Sequence, residues 1–207
     1  MTFRVKKKYR RFLLAFAVIL VLAVFYFVIN PPRFLNKEEN IFPPAFIEAY
    51  SAAFNLSSAI SEVAKGAAVR INEINEADRK GDYIRALNLT VEQVKQHEGL
   101  RMKSVDLLTE LQKMAASVEQ IDSPTVQQLV LQAVSTQISL VSHLLIYNER
   151  WISLLNHLRD KFLSVKPWVF NPETEKLIQK VNDEIEVINK LNRQYNALME
   201  ELRRIIY

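Results

Sequence analysis

The chain has 207 residues with no cysteine and only three glycines, and it carries 27 Lys and Arg against 23 Asp and Glu. The absence of cysteine excludes disulfides, zinc–thiolate sites and cysteine nucleophiles. Because tight turns favour glycine, its scarcity argues against a β-rich domain and predicts an all-α fold of long helices.

The first predicted element is an apolar run at residues 12–29, which holds 18 residues and no charged side chain. A helix of this length spans about 27 Å, close to the hydrocarbon thickness of a bilayer. The apolar region of a cleaved signal peptide is shorter, and the best cleavage motif, at residues 21–23, precedes bulky side chains. A buried core helix would show a polar face, which this run lacks. We therefore predict a transmembrane signal anchor that is retained.

The charges that flank the anchor predict its orientation. Six Lys and Arg precede it within residues 1–11, whereas the linker at residues 30–43 has two basic and two acidic residues. Since basic flanks stay in the cytoplasm, we predict a single-pass protein of the cell membrane with a cytoplasmic N-terminus. Residues 44–207 then form an extracytoplasmic domain. The lack of disulfides favours a bacterial envelope protein.

The basic side chains are unevenly distributed along the chain. Residues 1–33 hold seven of the 27 Lys and Arg and no acidic residue, so residues 34–207 have 20 positive and 23 negative side chains, a net charge of −3. A nucleic-acid-binding domain needs a basic face. We therefore expect no nucleic-acid partner.

The domain at residues 44–207 divides into four long segments at the chain breakers Gly81, Pro124 and Pro172. The predicted helices are residues 44–80, 82–121, 124–165 and 172–207. Because connections this short make successive helices antiparallel, we predict an elongated up-down-up-down four-helix bundle.

Apolar residues recur at spacings of three and four along each segment, as in amphipathic helices. For the second segment, the predicted core stripe comprises Leu87, Val91, Val94, Val105, Leu108, Leu111, Ala115 and Val118. Wide stripes of this kind favour a multi-helix bundle over a two-stranded coiled coil.

The residues GDYIRAL at positions 81–87 resemble the helix–turn–helix junction of a tetratricopeptide repeat. That family repeats a unit of ~34 residues, whereas the segments here are much longer and no second copy of the motif occurs. Gly81 suits the left-handed end of one helix, and Asp82 suits the cap of the next. We therefore predict a capped helical hairpin at this point.

Residues 124–148 contain no Asp, Glu, Lys or Arg. This composition raises the alternative of a second membrane span. The stretch also holds four glutamines, a histidine and several Ser and Thr, which are costly when they face lipid. We predict instead a largely buried bundle helix or a surface that faces a partner.

The three histidines do not suggest a metal site. His143 and His157 lie about 21 Å apart along one helix, and none of the three histidines belongs to a Glu-x-x-His pair. The sequence also lacks the common zinc-protease, P-loop, serine-hydrolase and dinucleotide motifs. We predict that the chain is not an enzyme and has no catalytic residue, cofactor or metal.

One set of residues is a candidate site, because antiparallel helices bring its members to a similar height. The predicted mid-bundle layer comprises Gly66, Gly99, Tyr147, Asn148, Trp151 and Asn192. Two interpretations remain open. The glycines make room for large side chains in a packing layer, or the layer holds a small ligand pocket.

The function that these features predict is that of a membrane-anchored helical-bundle protein, held by residues 12–29. It acts as a protein-interaction or scaffold module of the cell envelope, through a protein partner or self-association. One alternative is a ligand-sensing subunit, because the tether and bundle resemble four-helix chemoreceptor sensor domains. Those domains need a second span and a cytoplasmic output. A further alternative is an enzyme or transport component with an unrecognised site.

Overall fold

The computed structural model describes residues 41–164 and 172–206, apart from the side chains of residues 65, 67 and 68. This part of the chain contains helices and no strand. The elements are α1 (Pro44–Lys80), α2 (Tyr83–Ser117), a 3₁₀ turn (Val118–Gln120), α3 (Pro124–Leu163) and α4 (Pro172–Ile206). The predicted all-α class and the four helices are confirmed.

The predicted membrane segment is not among the described residues. The basic segment at 1–11, the anchor at 12–29 and the linker up to residue 40 all lie outside the described ranges. These three predictions therefore stay predictions.

The helix ends follow the local chemistry of the breakers. Gly81 has φ +76°, and the N–H groups of Gly81 and Asp82 donate to carbonyls in the last turn of α1. This is the glycine-ended helix terminus that the sequence predicts. Asp82 Oδ1 accepts from the N–H of Arg85 at 3.1 Å, and Ser123 Oγ accepts from the N–H of Val126 at 3.5 Å. Side chains therefore cap the first turns of α2 and α3.

Each long helix packs against the next one along the chain: α1 against α2, α2 against α3, and α3 against α4. Along α3 the contacts move backwards along α4. Arg150 pairs with Glu184, whereas His157, two turns later in α3, hydrogen-bonds Thr174 in the first turn of α4.

The core has two clusters of buried apolar side chains. The first joins the start of α1, the end of α2 and the start of α3, and it includes Leu202 near the end of α4. The second joins the later half of α3 to the first half of α4. Its buried members are Leu144, Tyr147, Trp151, Leu154, Leu155, Val181, Ile185 and Ile188.

The predicted core stripe of α2 is wrong at Val91 and Val105, which are 37% and 48% exposed, whereas Leu111 and Val118 are buried and the other four members are half-buried. The buried face of α2 instead includes four polar residues, Thr90, Gln93, His97 and Ser104. The hydroxyls of Thr90 and Ser104 each donate at 2.8 Å to a carbonyl one turn earlier in α2, so their burial costs little. This rotation of the helix buries Leu100.

Candidate interaction surface

Three members of the predicted mid-bundle layer lie together in α3, against one residue of α2. The ring of Trp151 stacks on Tyr147, with centroids 6.2 Å apart, and lies 5.9 Å from the ring of His97. Asn148 hydrogen-bonds His97. Sequence reasoning missed His97, because a single histidine without metal-ligand neighbours carries no motif.

The other three members of that layer do not join this cluster. A Cβ placed on Gly66 or Gly99 would meet no atom within 4 Å, so neither glycine makes room for an aromatic ring, which argues against the packing role that was one of the two interpretations. Asn192 lies two turns beyond Glu184, the residue of α4 that contacts this part of α3. The ligand pocket at this level stays a prediction.

The imidazole of His97 is 2% exposed and neutral. Its Nδ1 lies 2.9 Å from Asn148 Oδ1, so Nδ1 carries the proton and donates it. Burial lowers the pKa of His97 from its ordinary 6.5 to about 4, although the bond with Asn148 acts in the opposite direction. The second ring nitrogen, Nε2, is then an acceptor.

Buried polar atoms that lack a hydrogen-bond partner among the described residues include Ser61 Oγ, Gln93 Oε1 and His97 Nε2. Such atoms cost about 1–3 kcal/mol each when nothing satisfies them. All three belong to α1 and α2. Within residues 41–164 and 172–206, no group of three histidines or carboxylates could hold a metal ion.

A second polar contact joins α3 to α4. The carboxylate of Glu184 is 5% exposed, accepts at 2.8 Å from Arg150 Nη1, and is hydrogen-bonded to His143 Nδ1. Arg150 and His143 each remain about one third exposed. This buried carboxylate is therefore paired with two groups that still reach water.

An apolar cavity of about 40 Å³ lies between the start of α1 and the end of α4. Its lining residues are Phe42, Phe46, Tyr50, Met114, Val130, Ala133, Val134, Gln137, Tyr195, Met199 and Leu202. Burial raises the pKa of the Tyr50 phenol, so this hydroxyl is neutral. Since an apolar cavity of about 150 Å³ is needed to admit benzene, this space is too small for a metabolite.

The most unusual surface of the described chain is an outward stripe of α3, which we call the α3 outer face. It comprises Gln128, Leu131, Ser135, Ser139, Ser142 and Ile146, at successive spacings of three or four residues. Residues at these spacings share one side of a helix. Five of the six are exposed and Ser142 is half-buried, and Leu131 and Ile146 are 45% and 38% exposed. The face itself carries no charged residue, because residues 124–148 contain none.

Two of the three serine hydroxyls on the α3 outer face have hydrogen-bond partners within the helix. Ser139 Oγ donates to the carbonyl of Ser135 at 3.1 Å, and Ser142 Oγ donates to that of Ile138 at 2.8 Å. Because these two donors already have partners, covering the face with another surface leaves neither of them unsatisfied. Covering Ser139 and Ser142 therefore costs little.

The same helix is the one candidate membrane span within the described ranges, judged by length and composition alone. Its apolar window is 39% buried, and a core helix of a soluble protein passes the same test. The contacts of α3 with α2 and α4 agree with the predicted bundle helix. They do not test whether its outer face meets lipid.

A second exposed apolar set lies on α2 and includes Ile84, Met102 and Val105. It differs from the α3 outer face because exposed charges interrupt it, with Glu98 and Arg101 beside Met102. The α2 set is therefore not a continuous uncharged surface, whereas the α3 outer face is.

Comparison with known proteins adds no relationship. No family model, curated protein or solved structure matches this chain.

Proposed function

We propose that the chain is a single-pass membrane-anchored protein that acts as a non-enzymatic protein-interaction or scaffold module of the cell envelope. Its extracytoplasmic domain is an antiparallel four-helix bundle. The backward progression of contacts between α3 and α4, together with the two-residue turn at Gly81, supports the antiparallel arrangement. The basic flank and apolar run support the anchor and its orientation.

The α3 outer face is the observation that carries the interaction function. Protein surfaces normally carry charged side chains throughout, and the central part of an interface is depleted in them. A stripe of six residues over about 27 Å of helix, with no charge and two exposed aliphatic side chains, has the character of a contact surface.

A pair of serine variants tests this function. Ser139 lies on the α3 outer face, whereas Ser153 is exposed on the same helix beyond the charge-free stretch. Each hydroxyl donates to a carbonyl one turn earlier, at 3.1 and 2.9 Å, so the two positions are locally matched. We expect Ser139→Arg to abolish the crosslinking of other proteins to this chain in intact cells. We expect Ser153→Arg to leave this crosslinking unchanged. Equal crosslinking by both variants would contradict the proposal.

The anchor and its orientation need a separate measurement. A reporter enzyme that is active only outside the cytoplasm is fused after residue 207. We expect activity in membranes from cells that express the full-length chain, and none when residues 12–29 are deleted. A second reporter, active only in the cytoplasm, is fused at the same site. If this second reporter is active, the proposed orientation is wrong.

Ligand sensing is a second candidate function, favoured by two buried acceptors without a hydrogen-bond partner among the described residues, Gln93 Oε1 and His97 Nε2, which lie one turn apart on α2. A ligand that contacts both atoms must donate hydrogen bonds. A ligand that binds the folded state raises the melting temperature as its concentration rises. A screen of small neutral polyols and amides is run with wild type and with His97→Gln. A ligand would raise the melting temperature of wild type only.

A further inference from the structure

The α3 outer face has nearly the same residue order in both directions. This symmetry holds from Leu131 to Ile146, with three serines between them, and Gln128 lies outside the symmetric part. The midpoint falls between residues 138 and 139, so the two large aliphatic side chains are equally distant from it. A two-fold axis through that midpoint would place Leu131 of one copy opposite the same type of side chain of another.

We propose that the occupant of the α3 outer face is a second copy of this chain, with the two α3 helices antiparallel and Leu131 of each against Ile146 of the other. This proposal rests on the proposed function, because it names the partner of the same surface. The serines form the centre of the contact, where small side chains let two helix backbones approach closely.

Charge matching favours a second copy as the occupant. A surface without charges binds at least cost to another surface without charges, because charged groups lose their hydration on contact. Residues 124–148 form the longest uncharged stretch of the described chain, and the exposed sides of α2 and α4 carry charges of both signs. Within this protein, the α3 outer face is therefore the best match for itself.

The size of the face predicts how the dimer forms. One helical stripe buries less than the roughly 800 Å² per partner of a standard interface, so the contact is weak between freely diffusing molecules. A membrane anchor confines both copies to one surface and raises their effective concentration. We therefore expect dimers in membranes and monomers in dilute solution of the domain.

Cysteine crosslinking tests the arrangement directly, because the natural chain has no cysteine. Full-length Leu131→Cys and Ile146→Cys chains, with different epitope tags, are expressed separately and together, and native membranes are treated with a short bismaleimide. We expect mixed 131–146 dimers to exceed 131–131 and 146–146 dimers several-fold. Ser139→Cys, next to the axis, should crosslink to itself.

A control variant places the cysteine on the other exposed apolar surface. Met102 is 72% exposed on α2, so Met102→Cys reports random collisions and the rival surface. We expect little Met102→Cys dimer. If it dimerises more than Ser139→Cys, or if the like pairs 131–131 and 146–146 dominate, the antiparallel α3 contact is wrong.

Reaction of the same cysteines with a polar maleimide separates failure of this proposal from failure of the proposed function. If Ser139→Cys forms no dimer but is protected and crosslinks to a different protein, the second copy is excluded and the interaction function stands. If it is protected in vesicles of purified protein and phospholipid at low protein density, lipid is the occupant and the dimer is excluded. If it reacts as fast as Met102→Cys, both proposals fail.

Discussion

Helix α3 makes two buried polar contacts, and they differ in how buried polar groups are kept hydrogen-bonded. On the α2 side, His97 and Asn148 are 2% and 4% exposed, and both are neutral. On the α4 side, the buried Glu184 carries a charge, but its partners Arg150 and His143 remain about one third exposed. At these two contacts, the charged group is the one whose partners reach water, which agrees with the large loss of hydration energy of a fully enclosed ion.

The largest expected effect comes from opening the enclosed contact. Trp151→Ala removes the ring that lies against His97, and loss of a buried aromatic side chain costs about 3–5 kcal/mol. Water then reaches the imidazole, so we expect the pKa of His97 to rise from about 4 towards 6.5. Urea denaturation and histidine titration by NMR measure both. Ile152→Ala, at the half-buried neighbouring position, is the control, and an unchanged His97 pKa in Trp151→Ala would contradict the prediction.

The charged contact should respond unequally to removal of its two sides. Arg150→Leu leaves the buried carboxylate of Glu184 with His143 alone, and we expect a loss of about 2 kcal/mol, reduced from the value for an enclosed pair by the exposure of Arg150. Glu184→Leu leaves Arg150 and His143, which are both about one third exposed and can turn to water, and we expect a loss of about 1 kcal/mol or less. Urea denaturation of both variants at neutral pH makes the comparison. Equal losses would mean that Glu184 is solvated after all.

Acid should weaken the neutral contact specifically. In the unfolded chain the pKa of His97 is near 6.5 and in the folded chain about 4, so the unfolded state binds more protons between these values. Stability therefore falls as the pH falls through this window. We expect wild type to lose about 1.5 kcal/mol more than His97→Gln between pH 6.5 and 5. Urea denaturation midpoints at both pH values test this prediction. His157→Gln is the control variant, because it removes a different histidine by the same substitution. Parallel curves for wild type and His97→Gln would contradict the burial of His97.

The smallest effect should come from Gly99, which follows His97 by two residues on α2. A Cβ meets no atom there, so Gly99→Ala should raise the free energy of unfolding by about 0.5–1 kcal/mol through helix propensity. The pKa of His97 should not change. Gly81→Ala is the opposite control, because φ is +76° at this position and a side chain costs about 1 kcal/mol there. Thermal unfolding of both variants measures the difference, and a destabilised Gly99→Ala would show that the glycine has a packing role.

The sequence predicted the helices well because their ends depend on local chemistry. Gly81, Ser123 and Pro124 act through backbone conformation and capping within a few residues, so their effect is readable without tertiary information. The uncharged stretch at residues 124–148 was likewise visible in composition.

The rotation of α2 was not predictable in the same way. Counting apolar residues favoured burial of Val91 and Val105. However, the hydroxyls of Thr90 and Ser104 form hydrogen bonds within the helix, so the polar face can be buried at little cost. The partner of His97 is Asn148, 51 positions away along the chain, and such a pairing depends on helix packing. The signal that would have found it is the recurrence of Thr90, Gln93, His97 and Ser104 at helical spacing.

The division of the core into two clusters has a consequence for local unfolding. The cluster that holds Leu202 and the cluster around Leu155 share no buried residue, and they involve different parts of α3 and α4. Cooperative opening tends to follow such packed units. We therefore expect amide hydrogen exchange to divide α3 and α4 into two blocks with different opening energies, so that one end of the domain can fray while the other keeps its structure.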